Sequence, residues 1–162
     1  TLDSKVKLSC QYAKIINKNL FLFKWGNNIM SKLTIIDNEF ASLWYYPETK
    51  IVHHKIKKYI FGKTLQDLLN KGSEILKKNG AQKWLSDDSN NNALKVEDSE
   101  WTDTVWFPNT VRAGWKYWAL VQPEKIIGQM NMKKRTSVVA NEGVIVKVFN
   151  NTDEAMKWLE DQ

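Results

Sequence analysis

"FGKTLQDLLNKGSEILKKNGAQKWLS" (Phe61–Ser86) changes its hydrophobic period partway along. Up to Gly80, the positions Phe61, Leu65, Leu68, Leu69, Gly72, Ile75 and Leu76 recur three and four apart. That spacing puts them on one face of an α-helix. Thr64 with Asp67 reads as a capping box, and Asn79-Gly80 reads as a stop. "QKWLS" then has the length and apolarity of a short buried strand. A helix that passes directly into a buried strand is part of a strand–helix–strand unit, which implies a right-handed crossover and parallel pairing.

Upstream, Phe40–Tyr46 is aromatic and rich in strand formers. "YPET" places Pro47 in a turn, and "IVHHKIKKYI" follows as a second strand, so the pair predicts an antiparallel hairpin. Downstream, "VEDSEWTDTVWFPNTVRAG" reads as a helix with acids in its first turn, kinked or broken at Pro108. "WKYWALVQP" reads as a strand closed by Pro123, "NMKKRTSVVANEG" as a helix and "VIVKVF" as a strand. "NTDEAMKWLEDQ" reads as a terminal helix with Asn151 at its N-cap and Glu154 three residues on. The order β-β-α-β-α-β-α-β-α predicts an α/β domain. Its sheet is expected to be five-stranded, mixed and mostly parallel, with an antiparallel edge hairpin and about four helices.

The chain of 162 residues has a length suited to one domain with its own core. Its formal charge is +6. Residues 1–29 carry five lysines against one acid, so most of the excess basicity lies there. That asymmetry, with only Arg112 and Arg135 available for bidentate phosphate contacts, argues against nucleic-acid binding. Residues 1–29 show no clear alternation and end in Gly-Asn-Asn before Met30. They read as an N-terminal extension or as a first strand or hairpin covering a sheet edge, and residues 30–162 as the domain. Cys10 is the single cysteine, so no internal disulfide can form. No apolar run approaches the length of a membrane span, so a cytoplasmic location is the expectation.

The order of elements and the segments "ASLWYYPETKIVHHK", "KWLSDDSNNNAL", "EDSEWTDTVWFP", "AGWKYWALV" and "VKVFNNTDEAMKWL" resemble the STAS family, anti-sigma-factor antagonists with the SpoIIAA-like fold. Within that family they are most similar to a bacterial branch named for both STAS domains and lipid carriers, which has no established activity. The resemblance covers residues 38–162. It implies a non-enzymatic regulatory or protein-interaction module. In STAS proteins the helix after the central strand opens with Asp-Ser, then Ser or Thr, then Gly, and the serine is the phosphorylation switch of regulatory members. Asp88-Ser89 and Asp98-Ser99 both match the start of that pattern, but Asn90-Asn91 and Glu100-Trp101 follow them. Ser99 and Ser89 are therefore the phosphorylation candidates.

Asp87 and Asp88 end the "KWLSD" strand, where neighbouring side chains point to opposite sides. Ligands of open α/β sheets bind beyond the carboxyl ends of strands, and Ser86 to Asn92 should lie there with Gln122 and Pro123. Asp87, Asp88, Ser89 and Asn90 are thus either loop caps or a polar ligand site. Trp101, Trp106, Trp115 and Trp118 are either core or the walls of an apolar cleft. Trp101 and Trp106 are five apart, which on an α-helix separates their faces. Tyr117, Ala119 and Val121 should share a strand face with Trp115. Lys116 is placed to reach the surface or an anionic head group.

His53 and His54 are strand neighbours, expected to face in opposite directions, one inward and one outward. They cannot share a metal, and no cofactor or metal is expected. No nucleophile elbow or phosphate loop occurs, so a catalytic residue is not assigned. The expectation is a regulatory or interaction module with a possible protein partner or homodimer. The alternative is a carrier of a small apolar or anionic ligand in a Trp-rich cleft. An enzyme using Asp87 or Asp88 comes third.

Overall fold

The computed structural model describes residues 20–25 and 28–30 as backbone, and residues 31–91, 93–122, 136–137 and 139–162 with their side chains. Cys10, Asn92, Pro123 and, from the helix expected over 131–143, residues 131–135 and 138 lie outside the described residues. Thr136, Ser137 and residues 139–141 of that segment are helical.

Among the described residues seven strands form one sheet in simple chain order. They are β1 (Leu20–Trp25), β2 (Asn28–Asp37), β3 (Ala41–Tyr46), β4 (Ile51–Ile56), β5 (Lys83–Asp87), β6 (Tyr117–Val121) and β7 (Ile145–Phe149). The first three pairings are antiparallel and the last three parallel. The α/β class with a mixed sheet and an antiparallel edge is as expected. The sheet nonetheless has two strands beyond the five expected, and its antiparallel half is as large as its parallel half. The expected boundary at Met30 falls inside β2. The register between β2 and β3 shifts between Thr34 and Ile36. Such a bulge breaks the two-residue alternation by which a strand is read from sequence.

Besides the helical residues within 136–141, the helices among the described residues are α1 (Gly62–Asn79), α2 (Val96–Trp101), α3 (Phe107–Arg112) and α4 (Thr152–Glu160), with a π-helical stretch, Thr102–Trp106, joining α2 to α3. Alternation along the strands sorts the core into two layers. Val52, Ile56, Trp84, Trp118 and Leu120 meet Leu65, Leu68, Leu69, Ile75 and Leu76 of α1 on one face. Ile51, Leu85, Ala119 and Val121 meet Ala155, Met156 and Leu159 of α4 on the other.

Helix α1 buries Leu65, Leu68, Leu69, Gly72, Ile75 and Leu76, the face its periodicity predicts. It ends at Gly80 in the left-handed conformation, whose N–H reaches the carbonyls of Leu76 and Lys77. Its start differs from expectation. Phe61 is the N-cap residue, 48% exposed, and no side chain of that turn caps the helix. The cap comes from α2: both carboxylate oxygens of buried Asp98 accept from the Gly62 N–H, at 2.9 and 3.0 Å. At the other end of the chain, Asn151 does cap α4 locally, accepting from the Glu154 N–H at 2.9 Å.

Pro108 does not end the helix: the backbone stays helical from the π stretch into α3. The proline lacks the N–H that would serve the Thr104 carbonyl. The turn just before it has widened into the π stretch, where the Phe107 N–H reaches back five residues to the Thr102 carbonyl.

Candidate functional site

The sheet layer under α1 contains an aromatic cluster. Trp84, Trp106, Trp115, Trp118 and Phe107 meet with ring centroids 5.1 to 5.9 Å apart. Trp115 belongs to this cluster rather than to the face of Tyr117. It precedes β6, so strand alternation does not govern it, and its indole N–H caps the Tyr117 carbonyl. Trp101 packs at the edge of the layer. The π stretch closes its hydrogen bonds over five residues, which brings positions 101 and 106 toward the same side of the helix.

Beside this cluster lies a cavity of about 40 Å3 near the carboxyl ends of β4 and β5. That leaves room for about three water-sized groups. Leu65, Leu69, Ile56, Phe107, Trp106 and Trp118 make its apolar walls, and His54, Ser86, Asp88, Asn91 and Thr102 its polar lining.

Its polar centre is a chain of three buried side chains on adjacent strands. The Trp84 indole N–H donates to His54 Nδ1 at 2.9 Å. An indole can only donate, so Nδ1 carries no hydrogen and the tautomer is the one with hydrogen on Nε2. Nε2 then donates to Asp88 Oδ1 at 3.3 Å. His54 and Asp88 are 3% and 6% exposed. The Asp88 N–H donates to the Val121 carbonyl, continuing the β5–β6 ladder by one residue, and its carbonyl accepts from the Asn91 N–H. That backbone continuation turns Asp88 to the face of Ser86 and His54.

Asp87 points the other way, as alternation requires. Its carboxylate takes Lys55 Nζ at 2.8 Å, the Ser89 hydroxyl at 2.6 Å and the Thr152 hydroxyl at 3.0 Å. Burial pushes its pKa up, but these three donors and the Lys55 charge outweigh that, and the carboxyl sits below its usual range. Asp87 thus ties β5 to β4 and to the start of α4.

Of the residues singled out in the sequence, Asp88, Trp106 and Trp118 line the cavity, with Ser86 and Asn91 of the strand-end segment. Asp87 and Ser89 form the fastening on the opposite face, Asn90 is an exposed turn residue, and Trp101 lies outside the lining. Lys116 is exposed and precedes β6, at the amino end of the strands and away from the cavity. Ser99 is half-buried in α2. Both histidines are buried, on opposite faces, whereas one was expected to face outward. His53 lies under Tyr46, whose hydroxyl is 3.3 Å from Nδ1, and its Nε2 has no partner among the described residues. Burial, helped by neighbouring His54, lowers the His53 pKa to about 3. Sequence reasoning placed Ser86 at the strand ends where ligands bind but missed His54 and Thr102 as lining residues. The signal available for His54 was its shared parity with Trp84, Ser86 and Asp88, which places the four on one face once β4 and β5 are paired in parallel.

Among the described residues no cluster of His, Cys, Asp and Glu suited to holding a metal ion occurs, and no helix is long and apolar enough to cross a membrane. No family model, curated protein or solved structure matches this chain.

Proposed function

We propose that the chain is a non-enzymatic binding domain whose working site is the Trp-walled cavity at the His54–Asp88 pair. The single observation that carries this reading is Asp88. It is a carboxylate with little solvent access, and His54 is its one side-chain partner among the described residues. A buried charge so thinly satisfied is costly unless something else approaches it. The π stretch supports the same reading, since such widenings often accompany functional sites and here Thr102 and Trp106 carry the cavity wall.

Catalysis is supported less well. Both nitrogens of His54 are engaged, one by Trp84 and one by Asp88, so the ring offers no free nitrogen to a bound molecule. A general base needs hydrogen-bond reach to the proton it takes.

The regulatory role that the STAS resemblance implies is compatible with a binding site that partners sense. For its phosphorylation step the geometry favours Ser99 over Ser89. Ser89 gives its hydroxyl to Asp87, and a phosphate there would stand against the Asp87 carboxylate.

The test is native against denaturing mass spectrometry of protein purified from its own host, alongside Leu69→Phe, which fills the cavity. Extra mass lost on denaturation and absent from Leu69→Phe is the expected result. A bare chain under native conditions overturns the binding reading. Mass that survives denaturation and fragments to Ser99 moves the function to the phosphorylation switch.

A further inference from the structure

We infer that the cavity takes a compact organic cation, a small primary or methylated ammonium, with Asp88 as its counter-ion. This rests on the binding reading above and specifies its ligand class.

The argument follows the donors. Six described lining residues carry side-chain donors, Ser86 and Asn91 among them, and the other four spend theirs inside the protein. Trp106 gives its indole N–H to Ser73 Oγ at 2.9 Å. Trp118 gives its indole N–H to Ser86 Oγ at 2.9 Å. Thr102 gives its hydroxyl to the Asp98 carbonyl at 2.6 Å. His54 gives its Nε2–H to Asp88 Oδ1. The Ser86 hydroxyl, which already accepts from Trp118, can still turn its own hydrogen either way.

What the cavity keeps unspent is electron-rich. Asp88 Oδ2 has no hydrogen-bond donor among the described residues and is not one of their fully buried unpartnered atoms, so the 8% of the side chain that stays accessible includes this oxygen. No lysine or arginine pairs with Asp88 among them either; its one candidate ion-pair partner is His54. Three aromatic rings, Trp106, Phe107 and Trp118, share the lining with it. Anions are disfavoured by the carboxylate, and a neutral acceptor has at most the Ser86 hydroxyl and the Asn91 amide to meet. An ammonium group supplies hydrogens to Asp88 while the rings stabilise its charge. The volume accommodates about three of its non-hydrogen atoms.

The probes are ethylammonium chloride and ethanol, which have equal numbers of non-hydrogen atoms, with sodium chloride matching the ionic strength. Binding is read from the indole N–H signals of Trp84, Trp106 and Trp118 in 1H–15N spectra of the full chain. Contacts between ethylammonium methyl protons and the Trp118 ring are measured in parallel. The expected result is saturable displacement by ethylammonium, with ethanol and sodium inert. Asp88→Asn, which keeps an acceptor for His54, should weaken ethylammonium binding roughly tenfold or more. Should Asp88→Asn fail to fold, the ring contacts in the unaltered chain decide.

Ethanol binding as well as ethylammonium, or ethylammonium binding unchanged in Asp88→Asn, overturns the cation while leaving a binding cavity. Equal displacement by sodium overturns the organic ligand. Silence from all probes overturns the cation too, and the host-purified mass then decides the binding reading separately.

Discussion

Trp84 on β5 donates its indole N–H to His54 Nδ1 on β4 across 2.9 Å, with both side chains buried. This bond sets the tautomer of the residue that holds Asp88. In Trp84→Phe the imidazole Nδ1 is left without its donor, and the ring volume shrinks. A stability loss of about 1–3 kcal/mol from the orphaned acceptor alone is expected, with a further cavity penalty. Denaturant titration measures the total. In the unaltered chain, 15N shifts should show His54 Nδ1 as the nitrogen without hydrogen. A hydrogen on Nδ1 would contradict the relay.

Gly72 faces the same tryptophan. A Cβ built on it would overlap the Trp84 ring, with Cζ2 at 2.7 Å. In an exposed helix interior, Gly→Ala stabilises by roughly 0.5–1 kcal/mol. Here Gly72→Ala should instead destabilise by about 1–3 kcal/mol, because a rigid buried ring must move. Adding Trp84→Leu should recover part of that loss, so the two substitutions should be non-additive in a double-mutant cycle.

Asp98 caps α1 from another helix. Asp98→Ala should cost about 1 kcal/mol and raise amide exchange at Gly62. Asp98→Asn keeps an acceptor and should cost less. Thr64→Ala, at the apparent local cap, should change stability little.

His53 makes stability depend on pH. Its folded pKa lies near 3, below the ordinary 6.5, so between those values the unfolded chain binds more protons. Its contribution is fully present above about pH 6.5 and is lost as pH falls toward 3. The slope from this one group is at most about 1.4 kcal/mol per pH unit. Asp87 acts in the same direction lower down, since its pKa is depressed and its contribution fades as pH falls through the folded value. His53→Phe should flatten the profile between pH 6.5 and 4 while leaving the steeper acid limb. Unchanged slopes in urea titrations across that range would contradict the assignment.

Local signals were legible wherever neighbours in sequence determine the outcome. The buried stripe of α1, the Gly80 stop, the Asn151 cap and the hairpin from Ala41 to Ile56 all follow from spacing or from one turn's chemistry. Alternation also separates Asp87 from Asp88. It failed at β2, where a bulge interrupts it, and at Trp115, which lies just outside the strand whose parity it was assigned.

The sequence by itself determined the α/β class, the parallel half of the sheet and the opposed directions of the two aspartates, because these depend on periods of two and 3.6 residues. Only the tertiary structure decided that His54 meets Asp88 across 34 positions, that Asp98 caps a helix 36 positions away, and that Trp106 walls the cavity. Parallel register and the π widening before Pro108 place those groups. The register arises from packing between distant segments and the π widening accompanies Pro108, and neither is recorded by a period of two or 3.6 residues.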